Sequence, residues 1–195
     1  MKKLILFFII ILFTCTFNVY ADTPLEILKE KIDKVFSILN DPAYSDKTKK
    51  DAEHDKLWEI FKNAFDFKSM SRLALGANWR SFSKEEQNEF ASVFGRFLSN
   101  TYLDKIQSDF TDEKVKYVGE DMLSNNRVVV LTNIIRNGVE TPVNYNMFKE
   151  GGLWKIYDVK IEGVSLLKNY RSQFTSILLR EKPRDLIEML KKKLK

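Results

Sequence analysis

Between Phe65 and Tyr102 the chain concentrates large apolar side chains so densely that whatever fold it adopts must be built around them. Phe65, Phe67, Met70, Leu73, Leu75, Trp79, Phe82, Phe90, Phe94, Phe97 and Tyr102 fall in this stretch, with almost no group able to do chemistry. Surface of that extent must be hidden from water. Either the segment packs a dense core, or it lines a hollow that an apolar ligand fills. Its local pattern is helical. Leu73-Ala74-Leu75-Gly76 resembles the end of a short helix, with Gly76 as its left-handed stop. Ser83 and Glu86 form an S-x-x-E capping box, so a second helix is predicted to start at Lys84. Beyond it Phe90, Val93, Phe94, Phe97, Leu98, Thr101, Tyr102 and Ile106 recur at steps of three and four on one face. Lys84, Glu85, Asn88, Arg96, Asn100 and Lys105 make the opposite, solvated face.

On either side the pattern supplies an architecture. Leu25, Leu28, Ile32, Val35, Phe36 and Leu39 line one face of a first helix, which Asn40-Asp41-Pro42 ends. Leu57, Ile60, Phe61 and Ala64 mark a second, after a charged, solvated segment from Asp46 to Lys56. Near Thr111 the period changes to two. Val115 and Tyr117 alternate with charges, Val128 to Ile135 is rich in β-branched residues, and Asn137-Gly138 is a strong hairpin signal. Val139, Thr141, Val143, Tyr145 and Met147 alternate on the return strand, where Pro142 suggests an edge or a bulge. Gly151-Gly152 turns the chain into a strand from Leu153 to Ile161, with Trp154 and Ile156 facing one way and Tyr157, Val159 and Ile161 the other. Ser165 then caps a helix burying Leu166, Leu167, Tyr170, Phe174, Ile177 and Leu178, and Pro183 starts a last one to Leu194. The expected class is α+β: a helical layer packed on a curved four-stranded antiparallel sheet, with the terminal helices wrapping to the other face.

The N-terminus reads as an address. Lys2 and Lys3 precede an apolar run from Leu4 to Phe17, and Val19-Tyr20-Ala21 has the small-residue ending that signal peptidase cuts. Residues 1–21 are therefore expected to be a cleavable secretory leader, and 22–195 a single domain. The apolar run is short for a membrane span. Cys15 fits a lipidated cysteine poorly, because Leu12-Phe13-Thr14 precedes it. It is the one cysteine, so the exported chain has no disulfide framework and must stand on its hydrophobic core. A domain of this length buries roughly 70% of its unfolded surface, which suffices. The formal charge of +5 falls by two with the leader, too weak a bias for nucleic acid.

Enzymatic chemistry finds little to work with. His54 is the one histidine, in Asp51-Ala52-Glu53-His54-Asp55. Its acidic neighbours at i±1 do not share its helical face, so they do not complete a metal site, and no second His or Cys is present for a nucleophilic pair. Gly151-Gly152 lies in a hairpin and Gly76 after a helix, so neither is a phosphate loop. Asp66 and Asp158 suit helix-cap or strand-end roles. No metal, no cofactor and no catalysis are expected.

Two segments resemble one family. Phe65-Asp66-Phe67, Met70-Ser71-Arg72, Ala74-Leu75-Gly76, Asn78-Trp79-Arg80, then Ser83, Glu86, Phe90, Phe94, Leu98 and Thr101-Tyr102 resemble a long motif of the MlaC family. These are periplasmic phospholipid-binding shuttles of the maintenance-of-lipid-asymmetry system, also called toluene-tolerance auxiliary proteins. A second block agrees in the same order: Trp154-Lys155-Ile156-Tyr157-Asp158-Val159, Ile161-Glu162-Gly163-Val164-Ser165-Leu166, and Asn169-Tyr170-Arg171-Ser172-Gln173-Phe174. Ser71 stands where Ala is expected and Glu86 where Gln is common; the second change keeps the capping box. The segment from Lys182-Pro183-Arg184 onward is less familiar.

The resemblance implies a sheet and helices enclosing a deep apolar pocket for phospholipid tails, the head group left exposed. Its candidate lining comprises Met70, Leu73, Leu75, Trp79, Phe90, Phe94, Phe97, Tyr102, Tyr117, Tyr145, Trp154, Val164, Tyr170 and Phe174. Arg171, Arg72 and Arg80 are candidate head-group contacts, or equally partners of Asp66, Glu162 or Asp158. It implies two docking partners as well: an outer-membrane lipoprotein–porin complex and the ring-forming subunit of an inner-membrane ABC transporter. The need for a carrier is a matter of magnitude. At about 0.8 kcal/mol per methylene, a lipid with roughly thirty of them resists leaving a membrane by on the order of 20 kcal/mol. Two readings compete with it: a periplasmic adaptor with a solid core, acting by protein contact alone, and a small hydrolase that would depend on His54.

Overall fold

The computed structural model describes residues 23–44 and 47–194; the leader, Cys15 and the expected cleavage point lie outside them. Helix α1 (Pro24–Leu39) opens with a capping box between Thr23 and Glu26 and with proline in its first turn, which suits a position lacking an N–H partner. Its Leu25 N–H donates to the Glu120 carboxylate at 2.8 Å, tying the helix to the sheet. Helix α2 (Lys50–Ala64) takes in most of the charged stretch expected to precede it. Asp51 and Glu53 favour its N-terminal dipole, and buried Glu53 accepts from the Gln107 amide at 2.8 Å. Asp66 caps α3 (Phe67–Leu75), accepting from the Lys68 and Ser69 N–H groups at 3.0 Å. Gly76 ends that helix at φ 56°. After a 3-10 turn (Gly76–Ser81), the predicted Ser83–Glu86 box starts α4 (Lys84–Asp109).

The sheet has five antiparallel strands in sequence order: β1 (Lys114–Ser124), β2 (Arg127–Arg136), β3 (Val139–Glu150), β4 (Leu153–Ile161) and β5 (Val164–Ser165). The fifth, a two-residue strand just before α5, adds to the four expected. Asn137 and Gly138 both take positive φ, as the hairpin signal requires. Pro142 lies in an interior strand, not at an edge. It is tolerated because β3 and β4 pair only from Val143 onward, and its carbonyl accepts from the Glu162 N–H at 2.9 Å. The alternation read along β4 fails at one residue. The register passes from Asn146–Asp158 to Met147–Ile156, leaving Tyr157 as a bulge. Past that extra residue Val159 and Ile161 return to the face of Ile156. Along the other side of β4, Asp66 N–H donates to the Ile156 carbonyl at 2.9 Å where the α2–α3 link crosses.

Helices α5 (Leu166–Leu178) and α6 (Pro183–Lys192) complete the chain. Rather than wrapping the far face of the sheet, α6 packs on α4 and α5 through Leu186, Ile187 and Leu190. Lys191 on α6 lies 2.6 Å from Glu89 on α4. Two apolar cores result. One joins α3, α4, α5 and α6; the other joins α1 and the end of α2 to β2, β3 and β4.

Candidate functional site

Between α1, α2, α4 and the concave side of the sheet lies an apolar cavity of about 450 Å³. The stripe of α1 (Leu28, Ile32, Val35, Phe36) forms one wall and Ile60, Phe61 and Ala64 of α2 another. Leu98, Tyr102 and Ile106 continue the aromatic face of α4 into it. The sheet contributes Val115, Ile134, Val143, Tyr145, Ile156, Val159 and Ile161, the last three sharing a face through the Tyr157 bulge. Ser99 makes no polar demand on the interior, since its hydroxyl donates to the Gly95 carbonyl at 2.9 Å. Burial pushes the Tyr145 hydroxyl up to about 12, so it stays neutral at any physiological pH. Charge is confined to the ends: Lys31 at one, and Lys105, Asp109, Glu113 and Arg136 at the other.

Walls of this kind present apolar surface that an apolar ligand would cover. Water is a poor filling, because the walls offer few hydrogen-bond partners. The geometry therefore suits a flexible apolar ligand.

Of the residues expected to line a pocket, Met70, Tyr102 and Tyr145 stand on this wall. Leu75, Phe90, Phe94 and Phe174 are instead buried in the helical core, where Phe90, Phe94 and Phe174 meet with centroids 5.3–5.6 Å apart. Leu73, Trp79, Phe97 and Tyr170 pack around them. Rings interlocked at such spacing leave no room for a guest. Trp154 belongs to the sheet-side core. Tyr117 sits on β1, with the Lys29 ammonium 5.8 Å from its ring, and Val164 on β5 is 55% exposed. Sequence reasoning did not single out the aliphatic lining of α1, α2 and the strands. Its signal was two helical stripes facing β-branched strands, a pattern that a filled core shares.

The three arginines also lie off the cavity. Arg171 Nε donates to the Leu73 carbonyl at 2.8 Å and so serves the C-terminal end of α3. Arg72 and Arg80 are exposed on α3 and the 3-10 turn, with no carboxylate within 4 Å among the described residues. His54 Nε2 lies 4.0 Å from Asp104 on α4, outside the cavity lining.

Comparison with known proteins follows the same line. The family profile described as MlaC protein matches residues 29–192. A Haemophilus influenzae protein, the intermembrane phospholipid transport system binding protein MlaC, is 28% identical over 184 residues, 89% of this chain and 84% of its own. Among solved structures, a phospholipid-binding protein from Ralstonia solanacearum, in complex with a phospholipid, superposes with a TM-score of 0.71. It is 23% identical, over 86% of this chain and 94% of its own, and shares the fold.

Proposed function

The chain belongs to the MlaC family, and from that premise we propose that it is a phospholipid carrier, holding acyl tails in the cavity between α1, α2, α4 and the sheet and leaving the head group at its mouth. One observation carries this reading: an apolar hollow of about 450 Å³, walled by aliphatic and aromatic side chains of α1, α2, α4 and the sheet. The Haemophilus relative's name and the lipid bound to the Ralstonia protein support it. Residues 1–21 act as the export leader and 22–195 as one lipid-binding domain, working in the periplasm between outer and inner membranes. Its partners are an outer-membrane lipoprotein–porin complex and the ring subunit of an inner-membrane ABC transporter, which supplies the energy. The chain acts as a carrier and not as a catalyst.

Organic extraction of the freshly purified, folded protein followed by mass spectrometry tests this. Phospholipid near one equivalent is expected. A clean blank from folded material would leave the adaptor reading, in which the chain works through protein contact alone.

A further inference from the structure

The two polar ends of the cavity differ in charge. Beside the last turn of α4, Arg136 Nε lies 3.1 Å from the Glu113 carboxylate, and its Nη2 donates to the Asp109 carbonyl at 2.8 Å. With Lys105 and Asp109 alongside, cations and carboxylates balance there. At the other end the cavity shares Lys31 and Ile60 with a groove of about 190 Å³ between α1 and α2, walled also by Lys34, Glu59 and Asn63. Its carboxylate, Glu59, lies 3.6 Å from Lys62, and Glu30 beside the groove is 2.5 Å from Lys34. Lys155 on β4 borders the groove, donating to the carbonyl of Asn63, which walls it. Among the described residues neither Lys31 nor Lys155 has a carboxylate within 4 Å. Burial first, and then repulsion from Lys155, hold the Lys31 ammonium below the usual lysine range. An anion placed against these two lysines would relieve that repulsion, and Lys31 and Ile60 line both the groove and the space for the tails.

We propose that Lys31 and Lys155 hold the phosphate of the bound lipid's head group in the α1–α2 groove and favour lipids of net negative charge over zwitterionic ones. The assignment rests on the carrier reading. In a zwitterionic lipid the attached ammonium offsets the phosphate, and Glu59, already paired with Lys62, is poorly placed to reward it. One surplus unit of charge at the partly exposed groove corresponds to a preference of about three- to tenfold.

The test is a competition. Wild-type protein is incubated with vesicles of equimolar phosphatidylglycerol and phosphatidylethanolamine, repurified, and its bound lipids counted by native mass spectrometry. Enrichment in phosphatidylglycerol is expected in the wild type and in Lys84→Gln, a remote control. It is expected to vanish in Lys31→Met, which keeps the apolar stem, and in Lys155→Gln. Wild-type lipid that mirrors the vesicles, or enrichment that survives in Lys31→Met and is lost in Lys105→Gln, would overturn the assignment while leaving the carrier reading intact. Wild type that takes up no lipid would overturn both. Inorganic phosphate alone is expected to show no saturable binding. Saturable binding abolished by Lys31→Met would make the groove a free-anion site and remove the head group from it.

Discussion

Gly95 shows how one position decides whether the cavity exists. It lies on α4 against Phe67, and a Cβ built there would stand 2.7 Å from the Phe67 ring. That ring lines the cavity and is stacked between Trp58 (5.8 Å) and Phe65 (6.1 Å), so it has little freedom to retreat. Alanine favours a helix by about 1 kcal/mol over glycine, but overpacking costs about 1–3 kcal/mol. Gly95→Ala should therefore lower thermal stability by a net of about 1 kcal/mol and reduce the lipid recovered on extraction. Tyr145 gives a second prediction. Below pH 10 its hydroxyl is neutral in both folded and unfolded chains. Between pH 10 and about 12 only the unfolded chain ionises, so stability falls as pH rises through that window. Its share of the loss reaches about 2–3 kcal/mol by the top of that window; buried Tyr117 and Tyr170 are raised too, so Tyr145→Phe should lessen the fall without abolishing it, as urea midpoints at pH 8 and 11 would show. At this scale the site was only partly legible. Met70, Tyr102 and Tyr145 were among the candidates that the family resemblance implies, but spacing does not separate a ring facing a hollow from one facing another ring, as Phe94 does.

Elements were more legible than sites where a local chemical device marks them. The Ser83–Glu86 box, the Asn137-Gly138 turn and the Gly76 stop each place a boundary through geometry that few residues satisfy. The misreadings occur where distant partners decide. Glu53 and Gln107 draw the charged lead-in of α2 into the helix. The Tyr157 bulge, set by pairing with β3, has no signature of its own in β4. Likewise invisible in the sequence was the carboxylate of Glu120, 95 residues away, that holds the start of α1. Because α1 forms one wall of the cavity, that bond matters beyond stability. Glu120→Ala is expected to cost about 1 kcal/mol and to raise hydrogen exchange in the first turns of α1, with lipid exchanging faster between protein and vesicles.

Taken whole, the molecule divides the work of folding and holding between its two cores. The interlocked rings of α3, α4 and α5 need no ligand, whereas the sheet-side layer surrounds the hollow. Stripping lipid should therefore release protection unevenly. Hydrogen exchange is expected to rise in α1 and across β2 and β3, while the segment around Phe90 and Phe174 keeps its protection; uniform loss across both would contradict the division. A further consequence follows from how the sheet ends. One border is occupied by β5 and by the Phe65–Asp66 link over Ile156; the other, β1, is broken at Val118 and Leu123 and studded with Lys114, Lys116, Glu120 and Asp121. A second molecule therefore meets a kinked, charged ladder on that border, which disfavours edge-to-edge growth between crowded copies, loaded or bare.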